Sequence, residues 1–244
     1  MSGFVHDSLA DNPGDATLAT GFDVGSEVDG LVGYYPFDGD ATDGTELGND
    51  GTVNGATFNG SGQVGGDSLS FDGTDDYVDV GDIHDSPLPG LTLATWVNPD
   101  DFNSHNHLIS KTTGGLTSST SSYKLRIQES SGDLETRIYN TNGDSEGVTA
   151  GTTSTGTWQH AAVTFDGGTI LLYLNGSEVG SGSFSGDVQA GSEPLELGRR
   201  QDGISYLAGD MDDARIYERA LSPPEIEALA NRTETSPVPV GATL

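Results

Sequence analysis

Short apolar segments alternate with turns rich in glycine, asparagine and aspartate from about residue 31 to residue 217. Within most segments, apolar and polar positions alternate, which is the pattern of a strand with one buried face. A spacing of roughly 8–14 residues between turn signals is typical of a sandwich or jelly roll. The pattern predicts strands near 31–37, 67–72, 76–80, 91–97, 106–111, 121–129, 133–140, 158–165, 169–175, 178–184, 193–198 and 207–217.

Local turn and capping signals join these strands and predict one helix. Asn175-Gly176 between two apolar segments is typical of a type I′ hairpin. Residues 130–133 and 166–168 predict two further hairpins. The segment 222–225 reads Ser-Pro-Pro-Glu, a capping-box sequence with proline at the first helical position, and predicts a short helix near the C-terminus. The fold class is therefore all-β, with one short C-terminal helix.

The two ends of the chain lack this periodicity. Residues 1–28 are rich in Gly, Asp, Ser and Ala and predict an extended N-terminal arm. Residues 29–231 form the predicted domain, and 232–244 predict an extended, proline-containing tail. Because the start has neither a basic nor an apolar region, we expect no secretory signal. We expect the arm to attach the domain to other subunits of an assembly. We also expect the protein to form a homo-oligomer.

Charge and composition exclude several functions. Among 244 residues, 38 are Asp or Glu and 9 are Lys or Arg, a net charge of −29, which opposes nucleic-acid binding. The chain has no cysteine, so neither disulfides nor cysteine-ligated metals are possible. No segment reaches the ~18 apolar residues of a membrane span, so no membrane insertion is expected. Carboxylates spread along the whole chain indicate adaptation to high salt, where self-repulsion is screened.

The order of several segments resembles the laminin-G-like, or concanavalin-A-like, lectin jelly roll over roughly residues 31–231. The matching segments are LVGYYPFD at 31–38, the loop 43–51, LSFDGTDDYV at 69–78, LTLATWV at 91–97, WQHAAVTFDG at 158–167 with LNG at 174–176, GDMDDARIY at 209–217 and ALSPPEI at 220–226. The resemblance implies a two-sheet antiparallel sandwich that binds glycans or proteins. Many members of this family hold a structural calcium ion, so the resemblance also implies a calcium site in this chain.

A calcium site is predicted near the first strand. Calcium binds six to eight oxygen ligands, and the 43–50 loop supplies Asp43 and Asn49 among glycines. The resemblance places Asp212 of the last strand next to this loop and Asp38 at the end of the first strand. The alternative is that these four residues are ordinary turn and surface residues, since aspartate is abundant throughout the chain.

Catalysis is not expected from the acidic residues. Asp210 and Asp212 alternate on one strand and Glu193 and Glu196 lie nearby in sequence, as acid pairs do in jelly-roll glycosidases. The Glu-x-Asp-x-x-Glu pattern of those enzymes is absent, so no general acid is assigned and no catalytic residue is predicted.

The aromatic and imidazole side chains are assigned structural positions. Trp96 and Trp158 are expected in the sandwich core, and His160 is expected to be a packed core histidine in a strand. His105 and His107 are expected at an exposed loop edge, because a zinc site would need further ligands.

Scarce cations concentrate on one predicted strand face. In the hairpin 121–140, alternation places five polar side chains on the face opposite the apolar ones: Lys124, Arg126, Gln128, Arg137 and Tyr139. Arg199 and Arg200 add two cations in a loop. One interpretation is a surface for an acidic glycan or an acidic protein neighbour. The other is cross-strand pairing with Glu129 and Glu135.

Together these patterns predict a non-enzymatic, lectin-like surface protein of a halophilic system. The preferred hypothesis is a virion structural protein (a capsid decoration, turret or fibre subunit) that binds a host surface glycan or glycoprotein. The alternative is a secreted or cell-surface carbohydrate-binding module of a halophilic archaeon. A glycosidase with an unrecognised active site is the third hypothesis.

Overall fold

A computed structural model describes residues 29–45, 47–84, 86–112 and 121–232. The predicted arm 1–28 lies outside these residues, as does all of the predicted tail except Arg232. The described part contains fifteen strands and one helix. They are β1 Leu31–Tyr35, β2 Thr52–Asn54, β3 Thr57–Asn59, β4 Ser68–Asp72, β5 Tyr77–Gly81, β6 Leu91–Pro99, β7 Asn106–Lys111, β8 Tyr123–Ile127, β9 Asp133–Tyr139, β10 Ser145–Thr152, β11 Gln159–Phe165, β12 Thr169–Leu174, β13 Ser177–Ser183, β14 Leu195–Leu197, β15 Ala208–Tyr217 and α1 Pro223–Ala230.

The strands form two antiparallel sheets, which confirms the predicted two-layer jelly roll. Sheet A has the order β13-β12-β11-β6-β15-β4-β3, and β1 also pairs with β15. Sheet B has the order β10-β9-β8-β7-β14-β5-β2. Neighbouring strands within each sheet are often distant in sequence, as β14 between β7 and β5 shows, so the topology brings distant segments onto one face.

The main core lies between the inner faces of the two sheets. In β8 and β9 the apolar positions Tyr123, Leu125, Ile127, Leu134 and Ile138 are buried in this core, as the alternation predicts. Because side chains alternate along a strand, the intervening polar residues point to the outer face of sheet B.

A second apolar cluster covers the outer face of sheet A. Helix α1 contributes Ile226 and Leu229, which pack in one cluster with Ala94, Ala162 and Tyr173. The helix begins with the predicted capping box, in which Ser222 and Glu225 bond reciprocally.

The positions of the two tryptophans differ from the prediction. Trp96 is buried, but it points to the outer face of sheet A, where its ring meets His160 edge-on at 5.5 Å. Trp158 is half-buried just before β11. Neither ring belongs to the core between the sheets. Alternation along β6 sends Leu93 and Val97 inward and Trp96 outward, and Trp158 lies outside β11. His160 is buried in β11, but as the register partner of Trp96 it also lies on the outer face of sheet A rather than in the core between the sheets. Burial lowers its pKa to about 4.

Strand β15 is interrupted by a bulge that sets the direction of its acidic residues. The register of β15 against β6 shifts between Asp212 and Arg215, and Asp213 has a positive φ of 49°. Bulges of this kind re-aim side chains within a sheet. Here the bulge buries Asp213 and Arg215 side by side, with both guanidinium contacts at 3.0–3.1 Å.

Candidate functional site

The outer face of sheet B carries two rows of polar side chains, and we name it the polar face. The first row runs from Glu135 on β9 to Arg126 on β8 and His107 on β7, which are successive cross-strand partners. The second row contains five such partners: Arg137, Lys124, Ser110, Glu196 and Asp79. The structure thus places the predicted hairpin residues on one face and adds residues from β5, β7 and β14.

Glu135 is the central acceptor of the β8–β9 part of this face. Its carboxylate binds Lys124 Nζ at 2.9 Å and the Arg126 guanidinium at 2.6 Å, and Gln128 Nε2 donates to it at 2.6 Å. Burial alone would raise the pKa of Glu135, but the bonds to Lys124 and Arg126 outweigh it and lower the pKa to about 2. For these two cations, the predicted cross-strand pairing with Glu135 is present.

Lys124 remains incompletely compensated despite this pairing. Burial lowers its pKa to about 8, although Glu135 opposes the change, and the charges of Arg126 and Arg137 lower it further. An ammonium group surrounded by two guanidinium groups and one carboxylate lies in a region of excess positive charge.

Arg137 differs from the other cations of the polar face. Its guanidinium donates to Ser145 Oγ at 3.2 Å, and it forms no ion pair with a carboxylate of the described residues. Arg137 is half-buried and lies directly opposite Lys124 in the register. A like-charged cross-strand pair is destabilising on its own.

A loop after β14 borders the same face with two more cations. Arg199 makes a bidentate bond to Glu196 at 2.6 and 2.9 Å and stacks over the Tyr77 ring at 3.3 Å. Arg200 binds Asp202 in the same bidentate way. Both predicted loop arginines therefore lie beside the face, but each holds a carboxylate of its own.

Two buried residues in the middle of the face lack partners. His107 is fully buried, and neither ring nitrogen has a hydrogen-bond partner among the described residues. Burial and the charges of Lys124 and Arg126 lower the pKa of His107 well below its usual value, so the ring is neutral. Ser110 Oγ is buried without a partner, too. The expectation that His107 is exposed is wrong, because it lies within β7 rather than in a loop.

Tyr139 closes the face at the β9 end. It is buried, and burial raises the pKa of its hydroxyl. His105, by contrast, is only partly buried, and its Nδ1 accepts a hydrogen bond from the Glu129 backbone N–H at 3.1 Å. His105 therefore lies at the edge of the polar face in a loop, as predicted, but it is partly buried rather than exposed.

The four predicted calcium ligands fall into two separate groups. In the first, both Asp43 oxygens accept hydrogen bonds, from the backbone N–H groups of Tyr34, Thr45 and Asn49 at 3.0–3.1 Å and from the Thr45 hydroxyl. The Asn49 amide donates to Val32 O at 2.8 Å. These bonds hold the 43–50 loop against β1.

Asp38 and Asp212 form the second group, around the loop 62–67. Asp38 accepts hydrogen bonds from Gly66 and Asp67, and Asp212 Oδ2 accepts from Gln63 at 2.7 Å and Val64 at 2.8 Å. Burial raises the pKa of Asp212 to about 7, although the backbone donors oppose this. Asp212 Oδ1 is buried without a hydrogen-bond partner in the described part of the chain.

The predicted calcium ligands combine three carboxylates with the amide of Asn49, and calcium also takes backbone carbonyl oxygens. Asp38, Asp43 and Asp212 do not converge as a cluster, and the carboxylates that do so within the described ranges are Asp72, Asp75 and Asp76. These three occupy the β4–β5 turn and are mostly exposed, which is common for acidic residues without an ion. Calcium binding stays a prediction for metal titration.

The acidic residues considered for catalysis lie on different layers. Asp210 is on the outer face of sheet A and accepts a hydrogen bond from Asn59 at 3.0 Å. Glu196 is on the polar face of sheet B, where it binds Arg199. Glu193 precedes β14 and supplies its backbone carbonyl to Lys111. The Glu196 and Asp210 carboxylates therefore cannot act as one pair.

The sequence matches a family model described as the concanavalin A-like lectin/glucanases superfamily over residues 72–227. This match covers more than half of the chain. The chain belongs to this family. Within the described residues, no helix is long and apolar enough to cross a membrane.

Similar proteins come from several sources. An adhesion G-protein coupled receptor V1 from Danio rerio is 26% identical over 153 residues, which is 59% of this chain but only 2% of the receptor. The chain thus corresponds to a small part of that relative.

Two solved structures share the fold. Domain 4 of AbnA, an extracellular arabinanase from Geobacillus stearothermophilus, solved with arabinotriose, has a TM-score of 0.66 and 21% identity, over 82% of this chain and 98% of that one. The ligand binding domain of botulinum neurotoxin serotype D, solved with N-acetylneuraminic acid, has a TM-score of 0.61 and 15% identity, over 85% and 52%.

Proposed function

We propose that this protein is a non-enzymatic, lectin-like module that binds carbohydrate through the polar face of sheet B. One observation carries the proposal: five of the nine Lys and Arg residues lie on or beside this face in a chain of net charge −29. They are Lys124, Arg126, Arg137, Arg199 and Arg200.

The composition of the face suits a sugar. Its donors include guanidinium, amide and hydroxyl groups. Carbohydrates present many hydroxyl groups and need a surface with several polar groups held in place. The arabinotriose and N-acetylneuraminic acid in the two structures of similar fold support this proposal without assigning either sugar to this chain.

A glycan-binding screen tests the proposal. The folded protein is tested against an array of neutral and acidic oligosaccharides, and hits are measured by calorimetric titration. Gln128→Ala and Arg137→Gln remove half-buried donors on the polar face and should weaken the hits. Asn103→Ala, in an exposed loop that precedes β7, is the matched control and should leave them unchanged. Binding that both polar-face variants leave intact would place the site elsewhere.

We infer in addition that the protein works at high salt. The carboxylates are distributed over the surface, and molar salt reduces the Debye length to ~3 Å, which screens their repulsion. The melting temperature should therefore rise steadily as KCl is increased from dilute buffer to molar concentrations. A melting temperature that does not change with salt would contradict this inference.

For the location of the module we retain the virion surface, as a decoration, turret or fibre subunit that binds host glycan or glycoprotein. The alternative is a secreted or cell-surface module. Deleting residues 1–28 and measuring incorporation into particles separates the two. The virion proposal requires incorporation to fail while circular dichroism shows an intact β-sandwich, and normal incorporation would contradict the role of the arm.

A further inference from the structure

We propose that the ligand of the polar face is an acidic glycan, whose carboxylate or sulfate binds between Lys124 and Arg137. This inference rests on the proposed carbohydrate-binding function and names the class of sugar. Three observations support it: the local charge, the register of the two cations, and buried donors without acceptors.

The local charge of the β8–β9 part of the face is opposite to that of the whole protein. Three cations, Lys124, Arg126 and Arg137, share this part of the face with two carboxylates. Glu135 binds Lys124 and Arg126, and Asp133 at the start of β9 accepts a hydrogen bond from Thr152. Arg199 and Arg200 are different, because each makes a bidentate bond to a neighbouring carboxylate. Among these cations, the one without a carboxylate partner in the described residues is Arg137, so the unpaired positive charge is local to its position.

The register brings two of these cations together. Lys124 and Arg137 are direct cross-strand partners, and the Glu135 carboxylate binds Lys124 from the neighbouring row. Direct opposition of like charges costs stability. An anion between the two would remove the repulsion, and Arg137 has a guanidinium fork that fits a carboxylate or sulfate.

Buried donors lie directly beside this pair. Ser110 is the cross-strand partner of Lys124, and His107 is the partner of Arg126. Ser110 Oγ, both His107 nitrogens and Arg126 Nε are buried without a hydrogen-bond partner among the described residues. A neutral imidazole carries one N–H, so the group offers three donors in need of acceptors.

The alternative explanation is that the cations only stabilise the hairpin. This explanation is sufficient for Lys124 and Arg126, because both form ion pairs with Glu135. It does not account for Arg137, which bonds only to Ser145 among the described residues and is half-buried rather than fully exposed. Arg137 is thus the residue at which the two explanations predict different results.

The experiment uses probes that differ only in charge. Oligogalacturonate is compared with its methyl ester, and dextran sulfate oligosaccharide with dextran, so that carboxylate and sulfate are tested separately. Binding to the full-length protein is measured by calorimetry at about 0.5 M and about 2 M KCl. At least one acidic probe should bind more tightly than its neutral counterpart, and the difference should shrink at the higher salt concentration.

Variants locate the anion. Arg137→Gln should weaken the acidic probe by roughly tenfold or more, while Arg137→Lys should retain part of the affinity. Arg219→Gln is the matched control, because it removes one positive charge near helix α1, on the sheet A side. It should leave affinity unchanged. Circular dichroism confirms that each variant is folded before it is titrated.

Two results would overturn the inference. If acidic and neutral partners of each pair bind equally well, the site binds glycan without recognising an anion, and only the proposed function stands. If Arg137→Gln and Arg219→Gln weaken the acidic probe to the same extent, the attraction is nonspecific. If the array yields no glycan of either class, the proposed function itself fails.

Discussion

Replacing Glu135 with glutamine tests whether one carboxylate holds the β8–β9 hairpin together. The pKa of Glu135 is lowered from 4.5 to about 2 in the folded protein, because Lys124 and Arg126 stabilise the charged form. Lowering the pKa from 4.5 to about 2 corresponds to roughly 3 kcal/mol of the free energy of unfolding. Losing one member of a buried ion pair costs about 3–5 kcal/mol in other proteins, so the two values agree.

The pH dependence gives this prediction its sign. Because the pKa is lower in the folded protein, the stabilisation is complete above the unfolded value near 4.5 and disappears as the pH falls through about 2. Glu135→Gln should therefore reduce the free energy of unfolding by about 3 kcal/mol at pH 7. By about pH 3 the difference from wild type should be less than half of that value.

Denaturant unfolding of wild type and variant at pH 7, 5 and 3, in constant molar salt, measures the difference. Other titrating groups contribute equally to both proteins and cancel. Glu129→Gln is the control, since Glu129 is exposed on the same hairpin and should change stability by no more than about 0.5 kcal/mol. A cost for Glu135→Gln that is the same at pH 3 as at pH 7 would refute the electrostatic explanation.

Three further predictions concern sheet A and the proposed metal. Gly209 has a φ of 138°, and a Cβ at this position would lie 2.3 Å from the Asn98 carbonyl oxygen, so Gly209→Ala should cost at least about 3 kcal/mol in a thermal melt. Arg215→Met leaves the buried Asp213 carboxylate without its cation and should cost about 3–5 kcal/mol in denaturant unfolding, part of which Asp213→Asn should restore in the double variant. If calcium binds as the sequence predicts, a chelator lowers the melting temperature and Asp212→Asn abolishes the effect, whereas a melting temperature indifferent to the chelator rejects the prediction.

The sequence predicts the layers of the fold well because several core strands alternate clearly. β8 has apolar residues at every second position, and β9 has Leu134 and Ile138 inward with Thr136 between them. The Asn175-Gly176 turn between β12 and β13 has positive φ at both residues, as a type I′ turn requires. The three strands that were not predicted are β2, β3 and β10. The first two have three residues each, and β10 lies at an edge with Val148 as its only buried residue, so their apolar signal is weak.

The candidate site could be predicted only in part. Alternation within one hairpin places Lys124 and Arg137 on the same face, since they are close in sequence. It cannot show that Glu196 and Tyr77 lie across the same sheet, because this depends on the order of strands joined by long connections. His107 was missed because the register of β7 shifts between His107 and Ile109, which breaks the alternation. The adjacent apolar pair Leu108-Ile109 is the signal that could have indicated this bulge.

The pairing of β1 with β15 determines how the module can be tethered. Leu31 is the register partner of Tyr217, and the Glu218 N–H donates to the Gly30 carbonyl at 2.8 Å. Helix α1, which follows, packs on the outer side of sheet A. A chain that continues from either residue 29 or residue 232 therefore leaves from the sheet A side of the sandwich. Both ends of the described chain thus lie on the side of the sandwich opposite the polar face of sheet B.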